Sequence, residues 1–420
     1  MAECLAIQGG HRLTGTLRVH GAKNAALPLL AATVLATGES VLEDVPDLQD
    51  IRVMTTILRQ LGAKVRVQGS TIRVDALLTS TEVPEHLMRR MRSSIFLMGP
   101  ILARYGQVRV STPGGCTIGS RPIDLHLKGL RALGAQIEEK HGYIECTASE
   151  LRGANLYLDL PSVGATENLI MAAVFAKGTT VIDNAAREPE IVDLTDFLNA
   201  MGAKIKGAGE NRVIIEGVDR LQAINYRVIP DRIVTGTMML AAAITQGNIT
   251  LTNTNADHLG AVITKLRETG AHVSVNQDVI NVRADRRPLA IDRIQTSYYP
   301  GFPTDLQSPF MALLSIAKGT SVITESVFEG RFKHVSELNR MGAKVKTDLR
   351  TAFIEGVPEL TGAVVEASDL RAGAALILAG LAGNGTTYVE QLHHIDRGYE
   401  RVEDLFASLG AKIKRVERER

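Results

Sequence analysis

Hydrophobic positions along the chain form two kinds of helical run, and short strand-like runs alternate with them. The first kind is apolar nearly all round: AALPLLAATVLA near the start and TGTMMLAAAI past the middle have no polar face. Helices of that kind belong in a core rather than on a surface. The second kind is amphipathic, as where Ile123, Leu127 and Leu130 share one face at helical spacing. Between the helices, ESVLEDV, QVRVST, TTVIDN, NITLTN, TSVITE and TTYVEQ read as strands, each preceded by a glycine: Gly38, Gly106, Gly178, Gly247, Gly319 and Gly385. The pattern predicts a unit of buried helix, strand, amphipathic helix, strand and strand.

That unit repeats. Leu-Gly-Ala or a close variant recurs at Gly62, Gly134, Gly202, Gly270, Gly342 and Gly410, at intervals of 72, 68, 68, 72 and 68 residues. A glycine there suits the left-handed residue that closes a helix before the next strand. Six units divide into two groups of three. The run 4–19 precedes the first unit, reads as one strand, and is expected to complete the C-terminal group. The expected domains are therefore 1–20 plus 230–420, and 21–229. The crossings fall near 20–21 and 227–230, and neither is rich in Ser or Pro, which predicts a hinge rather than a loose tether.

Composition adds exclusions. With 420 residues the chain exceeds one ordinary core, in keeping with two domains. A net charge of +1 gives no bulk electrostatic case for nucleic acid or an anionic membrane as partner. The opening MAECLAIQGGHRLTG has no basic segment leading into a long apolar run, and the apolar stretch 25–36 is too short to span a bilayer, so a cytoplasmic protein is expected. Three cysteines, Cys4, Cys116 and Cys146, cannot all pair and lack zinc-like spacing; no metal and no cofactor is expected.

The chemistry collects at helix starts. Lys23 and Asn24 open the first buried helix, Arg92, Ser93 and Ser94 the second, and residues 162–166 the third. Asp231 and Arg232, Thr304 and Asp305, and Asp369 with Arg371 open the others. N-capping accounts for Ser162, Asp231, Thr304, Asp305 and Asp369. It does not account for Lys23, Arg92 or Arg371, because a cation opposes the helix dipole there, and the expectation is an anion among them. Arg121, Arg187, Arg331 and Arg397 stand in four of the six loops that enter the amphipathic helices. If the two groups of units face each other, these residues line one basic cleft suited to phosphate and carboxylate; for Arg187, surface pairing with Glu188 or Glu190 is the simpler account. From strand-opening glycine to marker glycine the distances are 24, 28, 24, 23, 23 and 25 residues, and the long one contains Cys116. A glycine-rich insertion puts that thiol ahead of a helix expected to begin at Pro122, with Arg121 beside it, and both features favour thiolate. His126, His393 and His394 read as structural.

GAKNAALPLL, PGGCTIGSRPIDLH, NAAREPEIVD, IPDRIVTGT, FPTDLQ and HIDRGYERVEDL, spread over all six units, resemble the enolpyruvyl transferases that act on UDP-N-acetylglucosamine, within the EPSP synthase family. The resemblance implies an α/β fold of two inside-out α/β-barrel domains, each of three repeated units. It implies transfer of the enolpyruvyl group of phosphoenolpyruvate to the sugar 3-hydroxyl with release of phosphate, the first committed step of peptidoglycan synthesis. Carried over by residue, it gives Lys23, Arg121 and Arg397 to phosphoenolpyruvate. Asn24, Arg92, Arg121, Pro122, Ile123, Asp124, Leu125, Ser162, Val163, Gly164, Asp305 and Val327 would surround the UDP-sugar. Arg331, Asp369 and Arg371 would support the site, Asp305 would act as base, and Cys116 as acid or transient nucleophile. Leu160 and Pro161 stand where some family members carry a lysine near the diphosphate, so contacts there would come from backbone amides or from elsewhere. The transferases of shikimate 3-phosphate share the architecture but lack such a cysteine loop; a non-catalytic repeat scaffold would need no cations at apolar helix starts.

Overall fold

The computed structural model describes residues 2–112 and 123–418, with Ala2 and Arg92 described by their backbones alone. The chain divides into two compact units, one of residues 2–20 and 230–418 and one of residues 21–112 and 123–229.

Each unit is built from three repeats. In the unit of residues 21–229, the helices Lys23–Ala32, Met98–Tyr105 and Val163–Ala173 are buried, the first from Ala25 through Ala32 without a break. The amphipathic helix Gln49–Gln60 buries Ile51, Met54, Ile57 and Leu58 on one face and ends at Leu61, where the φ of +110° at Gly62 turns the chain into the strand Lys64–Gln68. All six marker glycines hold positive φ, between +88° and +111°. The strand-opening position is less uniform: before Asn248–Thr252 the left-handed residue is Gln246, not Gly247. Gly247 is there for space, since a Cβ would lie 2.1 Å from the Leu13 carbonyl oxygen.

Sheet topology closes each unit on itself. Glu39–Glu43 pairs antiparallel with Thr71–Asp75, and on its other side parallel with Asn225–Arg227, which leaves the third repeat. Asn155–Tyr157, leaving the second repeat, joins Thr179–Asp183 of the third in the same way. A parallel bridge from Glu82 to Arg109 links first to second. Every repeat thus lends its last strand to the next sheet, and the third returns to the first.

The other unit closes differently. The run read as one strand over 4–19 is two: β1 (Ala2–Gln8) and β2 (Thr14–Arg18). They enter different sheets. β1 lies antiparallel between Thr386–Glu390 and Lys412–Arg418, while β2 runs parallel to Asn248–Thr252. The break falls at Gly9, whose Cβ would sit 2.0 Å from the Gly383 carbonyl oxygen. The N-terminal segment therefore supplies both the third strand of the last sheet and the parallel edge strand of the fourth. Around these sheets the helices Arg232–Ile244, Gln307–Leu314 and Leu370–Ala382 form the core, the last burying Arg371 through Leu381. A Leu376→Ala change in that core would cost about 2–5 kcal/mol.

Candidate active site

In the unit that contains residues 230–418, the starts of two buried helices converge. A 3₁₀ turn, Thr304–Leu306, leads into Gln307–Leu314 and presents Asp305. Its carboxylate takes Arg331 Nη2 on Oδ1 at 2.7 Å and Arg371 Nη2 on Oδ2 at 2.8 Å. The guanidiniums are 4% and 6% exposed and the carboxylate 22%, so the cations are sealed and the anion keeps an open edge. Burial alone would raise the Asp305 carboxyl; the charges of Arg371 and Arg331 overturn that and hold it well below the usual carboxylate range. Arg371 also lies against buried Tyr399, whose hydroxyl is 2.9 Å from Thr237 Oγ1. Asp369 caps its own helix, accepting from the Arg371 and Ala372 amides at 2.9 and 3.1 Å.

Two buried groups here escaped the sequence reading. Glu325, 1% exposed, follows the strand Thr320–Thr324 and accepts the Val327 and Phe328 amides at 2.8 and 3.0 Å, fixing the turn that carries Val327. His334, 1% exposed, stands three residues past Arg331, and burial pushes its imidazole down to about 4, with the Arg331 charge adding to that and Asp369 opposing it. Neither had a sequence signal, because a Glu closing a strand and a His opening a helix are both common.

Arg397 is half-buried in the turn after the 3₁₀ helix Leu392–His394. That turn is set on the start of Leu370–Ala382: a Cβ at Gly398 would lie 2.5 Å from the Leu370 side chain. Asp396 is engaged by Arg415, which also donates to Glu403 Oε1 at 2.8 Å. His394 is lowered by burial, by its stacked neighbour His393 and by Arg397, against the pull of Asp369.

In the unit of residues 21–229, Lys23 opens its helix after Ala22, which supplies no side-chain cap, and Nζ meets Asp50 Oδ2 at 3.3 Å. Asp50 is only 2% exposed. At this helix start the cation meets one of the chain's own carboxylates, as Arg371 meets Asp305. Asn24 is half-buried in the same first turn. Ser162 caps Val163–Ala173 by accepting from the Ala165 amide at 3.3 Å. Gly164 leaves room for Phe96 and His126, which a Cβ would meet at 3.2 and 3.5 Å. His126 is buried and held by Asn168 at 3.1 Å, and Asn168 Oδ1 takes the Gly99 amide at 2.6 Å. The helix after the cysteine loop is Asp124–Ala132, with non-helical Ile123 at its cap, so its first position is Asp124 and not Pro122. Asp124 is exposed and Leu125 buried.

Capping holds for Ser162, Asp231 and Asp369 and fails for Thr304 and Asp305. Pro303 holds the cap position, and the side chains of Thr304 and Asp305 turn instead to Arg331 and Arg371. Cys116, Arg121 and Pro122 lie outside the described residues, as does the Arg92 side chain. Cys4 and Cys146 are free and fully buried; burial raises the first and pushes the second up to about 12. Among the described residues no cluster of His, Cys, Asp or Glu could hold a metal ion, and no helix is long and apolar enough to cross a membrane.

The profile of the family described as EPSP synthase (3-phosphoshikimate 1-carboxyvinyltransferase) matches residues 7–406. A protein of Carboxydothermus hydrogenoformans named UDP-N-acetylglucosamine 1-carboxyvinyltransferase 2 is 55% identical over 417 residues, 99% of each chain. One of the same name from Caldanaerobacter subterraneus subsp. tengcongensis is 54% identical over 98% of this chain and 99% of its own. Among solved structures, the enolpyruvyl transferase NikO from Streptomyces tendae superposes with a TM-score of 0.90 at 26% identity, covering 99% of both chains. EPSP synthase from Acinetobacter baumannii gives 0.78 at 19% identity over 99% of this chain and 100% of its own, a likeness of fold.

Proposed function

Because the chain belongs to the EPSP synthase family of enolpyruvyl transferases, we propose that Asp305 is the base for attack of the 3-hydroxyl of UDP-N-acetylglucosamine on phosphoenolpyruvate. The activity is enolpyruvyl transfer to that hydroxyl with release of phosphate, as in peptidoglycan synthesis. The observation that carries the assignment is a carboxylate clamped between two sealed guanidiniums, with its open edge left for a hydroxyl. At working pH it is an anion. It is also a weak base, which suits a proton transfer that follows bond formation: as the hydroxyl oxygen bonds to C2 it becomes strongly acidic, and a weak acceptor suffices. The enol C3 takes a proton, giving a tetrahedral ketal. Loss of a C3 proton and of phosphate then yields the enolpyruvyl ether.

The remaining roles follow the family pattern. Lys23, Arg121 and Arg397 bind the phosphate and carboxylate of phosphoenolpyruvate, for which guanidinium forks and an ammonium are suited. Asn24, Arg92, Arg121 to Leu125, Ser162, Val163, Gly164 and Val327 bind the UDP-sugar, and the exposed Leu160 contributes no charge to its diphosphate. Cys116 donates the proton to C3 or bonds to C2. Asp369, Arg331 and Arg371 position these groups. The reaction runs in the cytoplasm, where thiols stay reduced. The test is phosphate release from phosphoenolpyruvate with UDP-N-acetylglucosamine as acceptor, set against shikimate 3-phosphate. Release with the sugar nucleotide alone is the expected result; release with shikimate 3-phosphate alone would overturn the reading.

A further inference from the structure

The repeats permit an internal comparison. Six residues past each strand-opening glycine stand Asp44, Thr112, Asn184, Asn253, Glu325 and Gln391. Asp44, Asn184, Asn253 and Gln391 have left-handed backbones, with φ from +56° to +64°. Asn184 and Asn253 donate their side-chain amides to the carbonyls of Leu158 and Val19 at 2.7 and 2.6 Å, stitching a sheet to its parallel edge strand. Glu325 departs from this. Its backbone is not left-handed, and its buried side chain is an acceptor where those are donors.

Four donors converge on it. Oε1 accepts Thr296 Oγ1 at 2.8 Å, the Val327 amide at 2.8 Å and the Phe328 amide at 3.0 Å; Oε2 accepts the Thr304 hydroxyl at 2.9 Å. With its proton committed to Glu325, Thr304 Oγ1 presents lone pairs outward, and Arg331 Nη1 donates to it at 2.8 Å. Arg331 then meets Asp305 through Nη2 at 2.7 Å. A chain of defined polarity runs Glu325, Thr304, Arg331, Asp305, and Thr304 adjoins Asp305 in sequence.

We propose that Glu325 and Thr304 are positioning residues for the transfer: the Glu325 carboxylate sets the direction of the Thr304 hydroxyl, which aims Arg331 and so fixes the Asp305 carboxylate for the sugar hydroxyl. The proposal rests on the reading of Asp305 as base. A neutral Gln in place of Glu325 would turn an N–H toward one of four donors. If it faced Thr304, the hydroxyl would lose the acceptor for its proton and take the Gln N–H on one lone pair, so nothing would hold the other lone pair toward Arg331. Misplacement of about an ångström at a reacting group costs on the order of 100-fold in rate.

The experiment compares wild type with Thr304→Val, Thr304→Ser, Glu325→Gln and the Thr304→Val/Glu325→Gln double variant. It reads kcat and both KM values from phosphate release, with melting followed by circular dichroism. Wild-type and Asp305→Asn turnover in the same assay test the parent reading; the ratios of the Thr304 and Glu325 variants to wild type test the relay. Thr304→Val should lower kcat at least tenfold with the KM for UDP-N-acetylglucosamine changed less than about threefold, and Thr304→Ser should recover most of that loss. Glu325→Gln should lower kcat as much and also raise that KM, because it frees the Val327 turn. The double variant should fall no further in kcat than Glu325→Gln alone, as expected for two members of one chain of contacts. Should Glu325→Gln fail to fold, the Val and Ser variants of Thr304 decide. A Thr304→Val enzyme within threefold of wild-type kcat, a Thr304→Ser enzyme as slow as Thr304→Val, or losses that multiply in the double variant would each overturn the proposal.

Discussion

Replacing Asp305 by Asn separates a catalytic carboxylate from a structural one. The amide keeps one acceptor, so one of Arg331 and Arg371 retains a hydrogen bond, while the other meets an N–H. Both guanidiniums are almost fully buried, and the carboxylate between them is 22% exposed. Removing one partner of a buried ion pair costs about 3–5 kcal/mol. The retained hydrogen bond argues for the low end, roughly 3 kcal/mol, which lowers a melting midpoint by about 6–12 °C in a unit of this size. A lost helix cap would have cost far less, since Asn caps nearly as well as Asp. The carboxylate also gives the stability of the unit a pH dependence. Its folded pKa lies below the unfolded one, so its contribution is complete above about pH 4 and fades as pH falls below that. Asp305→Asn should remove this acid limb. Loss of a general base costs about 10²–10⁴ in rate, so kcat at 25 °C should fall by that factor in protein shown to be folded by circular dichroism. Turnover within fivefold of wild type would refute Asp305 as base, and an unchanged midpoint would refute the buried clamp.

Three further outcomes are expected. His334 is pushed down to about 4 in the folded chain, so its neutral form adds stability above about pH 6.5 that is lost as pH falls toward 4, on the order of 3 kcal/mol in all; His334→Gln should flatten the melting midpoint over that window, and an unaltered slope would count against it. Asp193, 2% exposed and 2.8 Å from the Tyr226 hydroxyl, is raised to about 7 chiefly by burial. Its favourable protonated form is lost as pH rises through 7, so Asp193→Asn should raise the midpoint at pH 8 more than at pH 5, and an equal change at both would sink the assignment. An electrophilic phosphonate epoxide of the fosfomycin type should label Cys116 and spare Cys4 and Cys146, which are buried and raised; peptide mass mapping that found the adduct on either buried thiol would reverse the assignment.

The helices and their order were legible because each rests on local periodicity, and the Leu-Gly-Ala turns because φ near +100° is a local demand that glycine meets. The N-terminal break at Gly9 was not, since its cause is a carbonyl at Gly383, hundreds of residues away in sequence. The same holds in the site. A hydroxyl and a carboxylate at a helix start serve equally as caps or as ligands for cations, and only the arrival of Arg331 from beyond the next strand and of Arg371 from the following repeat decides for Thr304 and Asp305. Lys23 was marked by its conflict with the helix dipole, but its partner Asp50 stands on the next helix and carries no mark of its own. Glu325 follows a strand whose counterparts in other repeats are followed by Asp, Thr, Asn or Gln, and its role exists only in three dimensions.

The central claim is addition of the sugar hydroxyl to phosphoenolpyruvate followed by elimination, and deuterium incorporation tests it most directly. The protein would be incubated in D₂O with phosphoenolpyruvate and UDP-N-acetylglucosamine, and the sugar product examined by proton NMR and mass spectrometry. Addition takes a deuteron onto C3 and creates a rotating methyl group, so elimination must leave deuterium in the vinyl methylene of a 3-O-enolpyruvyl product. Enolpyruvyl ether carrying deuterium at that carbon is the predicted result. A product with a fully protonated methylene, or no sugar product while phosphate is released, would contradict the account.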